Sequence, residues 1–314
     1  MARRCRLTRL RRALVDYLAV RRALGYKLDK PAGLLDQFLA YVEQHREEQL
    51  RVDTMLAWAR LPDGADRSWA SYRLSVVRTF AVHVHALDPA SEVPAPDLLP
   101  WRRCRATPYL YSDDELSRLL TATETLRPSH RVATFRTLIG LLAVTGMRVG
   151  EALALDRTDI DAADHVLTIR LTKFGKSREV PVHPTTVEAL QAYLRRGDRP
   201  RAAARTRAVL VSTAGTRLLY TNVQWTFHRL VRRAGLTPRS STCRPRLHDL
   251  RHRFAVRTLM EAYEQGHDPE HRLAVLSTYL GHVDPKATYW YLSAAPELLQ
   301  LAGDRLERHD GGRP

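Results

Sequence analysis

Residues 87–108, LDPASEVPAPDLLPWRRCRATP, carry five prolines and no periodic apolar pattern. Proline lacks a backbone donor and locks φ, so neither a helix interior nor a central strand runs through such a stretch. It reads as a stiff connector that rules out one continuous fold. Residues 1–90 are therefore expected to form one domain, 91–108 a linker and 109–314 a second domain. A chain of 314 residues, 44% of them hydrophobic, has the length and apolar content for two cores.

Before the connector every periodic signal is helical. Leu7, Leu10, Leu14, Tyr17 and Leu18 recur at three-and-four spacing, which predicts a helix over 7–24 ended by Gly25. Leu34, Leu35, Phe38, Leu39 and Val42 predict a second helix, and Thr54–Ala59 a third. After the turn-forming LPDGAD a fourth is expected to face Trp69, Tyr72, Val76, Phe80 and Val84 inward, with Arg67, Arg73 and Arg78 outside. Those arginines suit DNA phosphates. They suit a solvated face of a helical bundle equally well.

The overall charge favours the first reading. A formal +16 and a pI near 10.3 point to a polyanionic partner, most simply nucleic acid. No run of about 18 apolar residues is present, and the N-terminal MARRCRLTRLRR lacks the apolar centre of a signal peptide. Cys5, Cys104 and Cys243 are far apart and form no CxxC, so neither a disulfide framework nor a zinc site is indicated. A soluble intracellular protein without metal or cofactor is expected. A metal-dependent nuclease is disfavoured because no suitable acidic cluster appears.

The second domain opens with Ser112-Asp113-Asp114-Glu115, the pattern of a capping box. An apolar helix follows over 132–144 and stops at Thr145-Gly146, where MRVGEALAL begins another. Arg148 thus stands at a turn that leads into a helix, where guanidinium and backbone N–H groups can converge on an anion. Glu151, three residues on, can brace it by a charge-assisted bond or form an ordinary surface pair. HVLTIRLTKFGKSREVPVHP then alternates about Phe174-Gly175 and predicts a β-hairpin with Lys173 and Lys176 at its tip. The chain has five lysines against 45 arginines. Arginine cannot donate a proton to a leaving alkoxide, whereas lysine can be tuned to do so. Lysines at this tip are candidates for a general acid, or simply for solubility.

Further helices are expected over 185–196 and 221–234, closed by Gly197 and Gly235 and joined by a basic loop over 198–208. The second turns Val223, Phe227, Leu230 and Val231 inward and offers Arg229 and Arg232 to phosphates. RLHDLRHRFAVRTLM sets His248 and Arg251 at i and i+3, on one face of a starting helix. Two such groups can bind both non-bridging oxygens of a phosphodiester. His252 and Arg253 follow directly as partial substitutes. Last, LGHVDPKATYWY puts His282 nine positions before Tyr291. A phenol, with a pKa of about 10, attacks phosphorus only when cations stabilise its oxyanion and hold the target in line. Tyr289 lies two residues from Tyr291, so on a helix only one of them can reach a given phosphate. Taken alone, both read equally well as packed aromatics.

The set TGMRVGEALAL, LTKFGKSREVPV, LHDLRHRFA and LGHVDPKATYWYL, in this order across residues 110–295, resembles the tyrosine recombinases of the phage-integrase family. That resemblance implies a mainly α fold with a small β-sheet: an N-terminal all-α core-binding domain and an α+β catalytic domain, closing on DNA as a C-shaped clamp. It implies that Arg148 and Arg251 clamp the scissile phosphate, with Glu151 as the acidic residue beside the first. His248 would serve as hydrogen-bond partner and base, Lys173 rather than Lys176 as the acid, and His282 as a phosphate ligand. Tyr291 would be the nucleophile, forming a 3′-phosphotyrosyl link without ATP, metal or other cofactor. Lys176 would join Arg67, Arg73, Arg78, Arg229 and Arg232 as DNA contacts.

The implied partners are double-stranded DNA and three further copies of the chain, a homotetramer on two DNA sites. The ending TYWYLSAAPELL is similar to short integrases of transposon-like elements encoded in trio, which adds co-encoded recombinases as partners. Residues 294–308 are expected to form an amphipathic tail helix that docks on a neighbouring protomer. Integration or excision of a mobile element in the bacterial cytoplasm, at the nucleoid, is the implied setting, with no membrane. Before residue 109 one DNA-binding domain is expected and no separate arm-site domain. A type IB topoisomerase-like relaxing enzyme and a catalytically silent DNA-binding accessory protein of the same fold are the alternatives.

Overall fold

A computed structural model describes the backbone of residues 2–61, 64, 66–99, 106–170 and 177–281, with the side chains of 2–8, 269 and 270 excepted. The chain divides into two compact units, residues 1–105 and 106–314.

In the first unit α1 (Ala2–Ala23) ends at Gly25, whose φ of 87° is a left-handed conformation open to glycine. It is followed by α2 (Asp29–Gln44), α3 (Val52–Ala59) and α4 (Arg67–Leu87), the last capped by Asp66 through the Ser68 amide. Their apolar stripes meet in one core that includes Leu14, Tyr17, Phe38, Trp58, Val77 and Phe80. Burying a side chain the size of Phe38 or Phe80 contributes roughly 1.5–3 kcal/mol. Arg11 ties α1 to α2 through Glu43, at 2.8 Å, and Asp36.

The inward face of α4 differs from expectation. Trp69 and Tyr72 are 40% and 39% exposed and stack on each other, whereas Ala70, Arg73 and Leu74 are buried. Arg73 therefore does not lie on the outer, DNA-facing side assigned to it. Its guanidinium carbon lies 3.8 Å from the Trp58 ring centroid, and a terminal nitrogen reaches the Leu61 carbonyl. A long aliphatic stem capped by a flat cation packs well beside that indole. Burial lowers the Arg73 pKa accordingly.

The proline-rich stretch is held at both ends. The Glu92 amide donates to Leu50 O and the Glu92 carboxylate accepts from the Val52 amide. Leu99 packs on the first core, and Tyr109 and Tyr111 are buried in the second.

The second unit begins with α5 (Asp113–Ala122), whose capping box pairs Ser112 with Glu115 reciprocally. The long α6 (Ser129–Thr145) is buried along Leu138, Ile139, Leu141 and Leu142, while Val144 is exposed. After α7 (Val149–Ala154) come three antiparallel strands in sequence order: β1 (Ile160–Asp161), β2 (Val166–Ile169) and β3 (Arg178–Pro181). Leu167 pairs with Val180 and Ile169 with Arg178. The helices α8 (Pro184–Leu194), α9 (Tyr220–Arg233), α10 (Asp249–Glu264) and α11 (Pro269–Leu280) follow among the described residues. The basic loop of 198–208 contains a 3-10 turn over Arg201–Arg205. Leu273, Leu276 and Leu280 of α11 pack on Ala255, Val256 and Leu259 of α10. That contact delivers the C-terminal end of α11 to the turn that follows α6. The unit is mainly helical with one small sheet.

Candidate active site

A helix leaves its last carbonyls without intrahelical partners, and these form the negative end of its dipole. At the end of α11 three arginines from three different elements take three successive carbonyls. Arg178 Nε donates to Tyr279 O at 3.0 Å, Arg251 Nη2 to Leu280 O at 2.8 Å, and Arg148 Nη2 to Gly281 O at 3.3 Å.

Each arginine arrives by a local rule of folding. Arg148 is the residue before α7, reached by the left-handed turn at Gly146 (φ 58°). Arg251 lies in the first turn of α10 and is 2% exposed, and its Nη1 donates to Gly146 O at 2.8 Å. It therefore joins the two backbone turns of the site. Arg178 opens β3 on the same face as buried Val180, because strand side chains alternate.

Glu151 lies beneath two of these cations. Its Oε1 accepts from Arg148 Nη1 at 2.7 Å and Arg178 Nη1 at 3.1 Å. Its Oε2 accepts from the Arg148 amide at 2.9 Å and Arg178 Nη2 at 2.8 Å. The side chain is only 8% exposed. Burial pushes its pKa up, but the bonds from Arg178 and then Arg148 more than offset this and hold it down at about 2.

Of the residues singled out in the sequence, Arg148, Glu151 and Arg251 thus come together. His248 is exposed at the N-terminus of α10, with its ring 5.0 Å from that of buried His252. It lies on a groove of about 740 Å³ whose lining, among the described residues, includes His228, Arg232, Arg244 and Arg246 and no carboxylate. Arg253 is committed elsewhere, to Tyr111 O and Asp113, so it does not double for Arg251. Arg229 lies over the exposed Trp225 ring, 4.8 Å from its centroid. Arg67 is exposed and Arg78 half-buried on α4. Lys173, Lys176, His282, Tyr289, Tyr291 and the tail 294–308 lie outside the described residues.

Arg178 was not singled out in the sequence, although all three of its guanidinium nitrogens donate within the site. The available signal was the alternation REVPV, which sets Arg178 in phase with Val180 and Val182 on an inward face.

A helical unit followed by a helix-rich unit with one small sheet is a fold that other proteins share. The model of the phage integrase family matches residues 110–297, and this chain belongs to that family, the tyrosine recombinases. It is an enzyme of that class. The "Putative integrase/recombinase y4rB" of Sinorhizobium fredii (strain NBRC 101917 / NGR234) is 43% identical over 96% of this chain and 98% of its own length. The tyrosine recombinase XerD of Mycobacterium tuberculosis is 36% identical over 60% of this chain and 57% of its own length. Among solved structures, a lambda integrase dimer bound to a COC′ core site is similar with a TM-score of 0.61 at 18% identity, covering 90% of this chain and 76% of that one. The Tn1549 transposon integrase in complex with a circular intermediate DNA has a TM-score of 0.61 at 15% identity, covering 95% and 99%. Among the described residues no helix is long and apolar enough to cross a membrane.

Proposed function

We propose that this protein is a site-specific recombinase that cuts and rejoins double-stranded DNA through a 3′-phosphotyrosyl intermediate and so moves a mobile element in or out of a chromosome. Tyr291 Oη attacks the scissile phosphorus while the bond from phosphorus to the 5′ oxygen breaks. Lys173 gives that oxygen its proton, and His248 accepts the proton of the phenol. Arg148, Arg251 and His282 hold the non-bridging oxygens and offset the charge of the pentacoordinate transition state. The reverse attack by a partner strand's 5′-hydroxyl restores the phosphodiester and the free tyrosine, so no external energy source is consumed.

The observation that carries this reading is the convergence of Arg251 and of Arg148, the latter braced by Glu151, on the carbonyls of Leu280 and Gly281, directly before His282 in the chain. A site of fixed cations costs little reorganisation when charge develops in it. Residues 1–90 act as a core-binding domain, 91–108 as linker and 109–314 as catalytic domain. Arg67, Arg78, Lys176, Arg229 and Arg232 contact phosphates. The active assembly is a tetramer on two sites, formed in the bacterial cytoplasm at the nucleoid. The chain is one of the integrases encoded in trio, working with its co-encoded recombinases.

The test is a nicked suicide duplex carrying the target site, from which the strand end diffuses away after cleavage. A covalent protein–DNA adduct is expected, lost in Tyr291→Phe and kept in Tyr289→Phe, with DNA binding unchanged in both. Specific binding without any adduct would leave a silent accessory protein, and relaxation of supercoils without strand exchange a topoisomerase.

A further inference from the structure

Among the described residues, the first turn of α7, the start of β3 and the end of α11 meet at Arg178. It opens β3, and Lys173 belongs to the stretch of sequence between β2 and β3. Its guanidinium is bidentate to Glu151, which also holds Arg148. Its Nε takes Tyr279 O, and a Cβ on Gly281 would meet its side chain at 3.0–3.1 Å. Gly281 itself has φ 68° and immediately precedes His282.

The electrostatics give this geometry a purpose. Arg148 and Glu151 alone are a neutral pair, because the carboxylate cancels the cation meant for the phosphate. Glu151 is 8% exposed and Arg178 14%, so solvent screens them weakly. With Arg178 added, three charges sum to one positive, and the carboxylate is shared between two guanidinium groups. Among the described residues, the charged groups facing Glu151 are Arg148 at the start of its own helix and Arg178 from β3. From α11 it is Arg178, not Glu151, that takes the Tyr279 carbonyl, and Arg251 of α10 bonds backbone carbonyls instead.

Building on the recombinase reading, we propose that Arg178 is the positioning residue of this site: it shares Glu151 so that Arg148 keeps its charge for the scissile phosphate, and it locks the hairpin to the end of α11. It touches neither substrate nor reacting atoms. Replacing it leaves Glu151 to neutralise Arg148, and removing the carboxylate as well releases Arg148 again.

The experiment measures the rate of covalent adduct formation on the suicide duplex between pH 5 and 8 for the full chain, Arg178→Met, Arg178→Lys, Glu151→Gln and the double variant. Arg178→Met is expected to lose about 100-fold at pH 8, in the range of removing one preorganised donor. The deficit narrows as pH falls and Glu151 takes a proton. The double variant is expected to regain at least tenfold over Arg178→Met at pH 8, with Arg178→Lys between Arg178→Met and wild type. A deficit independent of pH, with a double variant no faster than the single, would overturn the proposal in favour of a purely structural ion pair. Amide exchange supplies a readout that needs no catalysis: faster exchange in residues 178–181 and 278–281 is expected in Arg178→Met at unchanged global stability. Unchanged exchange there, or loss of protection throughout the unit, counts against it. A wild-type chain that forms no adduct sinks the recombinase reading, and the exchange pattern then decides the positioning of Arg178 by itself.

Discussion

Gly146 and Phe254 stand so close that a Cβ on the glycine would fall 2.4 Å from Phe254 Cδ1 and 2.9 Å from Cγ. The same glycine has φ 58°, and its carbonyl receives Arg251. Gly146→Ala therefore meets two penalties at once, a left-handed backbone of roughly 1–2 kcal/mol and overpacking of roughly 1–3 kcal/mol. A loss on the order of 2–5 kcal/mol is expected in the unfolding transition of the second unit, measured by calorimetry. Adduct formation should fall in the same variant, because the Arg251 acceptor moves. A variant of wild-type stability would show that α10 yields to the extra methyl group.

Glu151 makes the site sensitive to acid. Its folded pKa of about 2 lies below the ordinary 4.5. A depressed carboxyl contributes stability that is fully present above its unfolded pKa and is lost as pH falls through the folded one. Between about pH 5 and pH 2 the wild-type chain should lose on the order of 2–3 kcal/mol from this group. Glu151→Gln should lack that part of the acid dependence. Denaturant titrations of both proteins at stepped pH test this, and parallel curves would contradict it.

Arg232 and Arg67 are exposed, whereas Arg73 is 7% exposed against Trp58. Alanine at Arg232 or Arg67 should weaken DNA binding and lower the salt slope by about 0.9 per lost phosphate contact. Alanine at Arg73 should leave that slope alone and destabilise the first unit by roughly 1–3 kcal/mol, through the lost stacking and the orphaned Leu61 carbonyl. Filter binding across a salt series, paired with thermal melts, separates the two outcomes.

Removal of residues 294–314 addresses the proposed assembly. Single-site binding and adduct formation are expected to persist while the paired-site complex weakens at least tenfold in native gels. Unchanged synapsis would eliminate the tail as a docking element.

The helices were legible because apolar residues recurring every three or four positions leave little choice of secondary structure. Leu10, Leu14 and Tyr17 of α1 and Phe227, Leu230 and Val231 of α9 are buried as their spacing demands. The capping box at Ser112 was equally legible, since both partners lie within four residues. The orientation of α4 was not. A stripe constrains a helix face to within one position either way, and the contact with Trp58 from another helix puts Arg73 on the buried face. Arg178 escaped notice for a related reason: alternation says only that it points inward, not what awaits it there.

Residue types and their order by themselves determined the helical class of the first unit, the antiparallel pairing of β2 with β3 and the candidacy of Arg148, Glu151 and Arg251. Local spacing carries that information, because helices and strands impose their own periods on any side chain. Only the tertiary structure decided that three arginines end on the carbonyls of Tyr279, Leu280 and Gly281, and that one carboxylate serves two of them. Backbone carbonyls are chemically alike at every position, so no sequence marks which ones a helix terminus leaves open beside a distant cation.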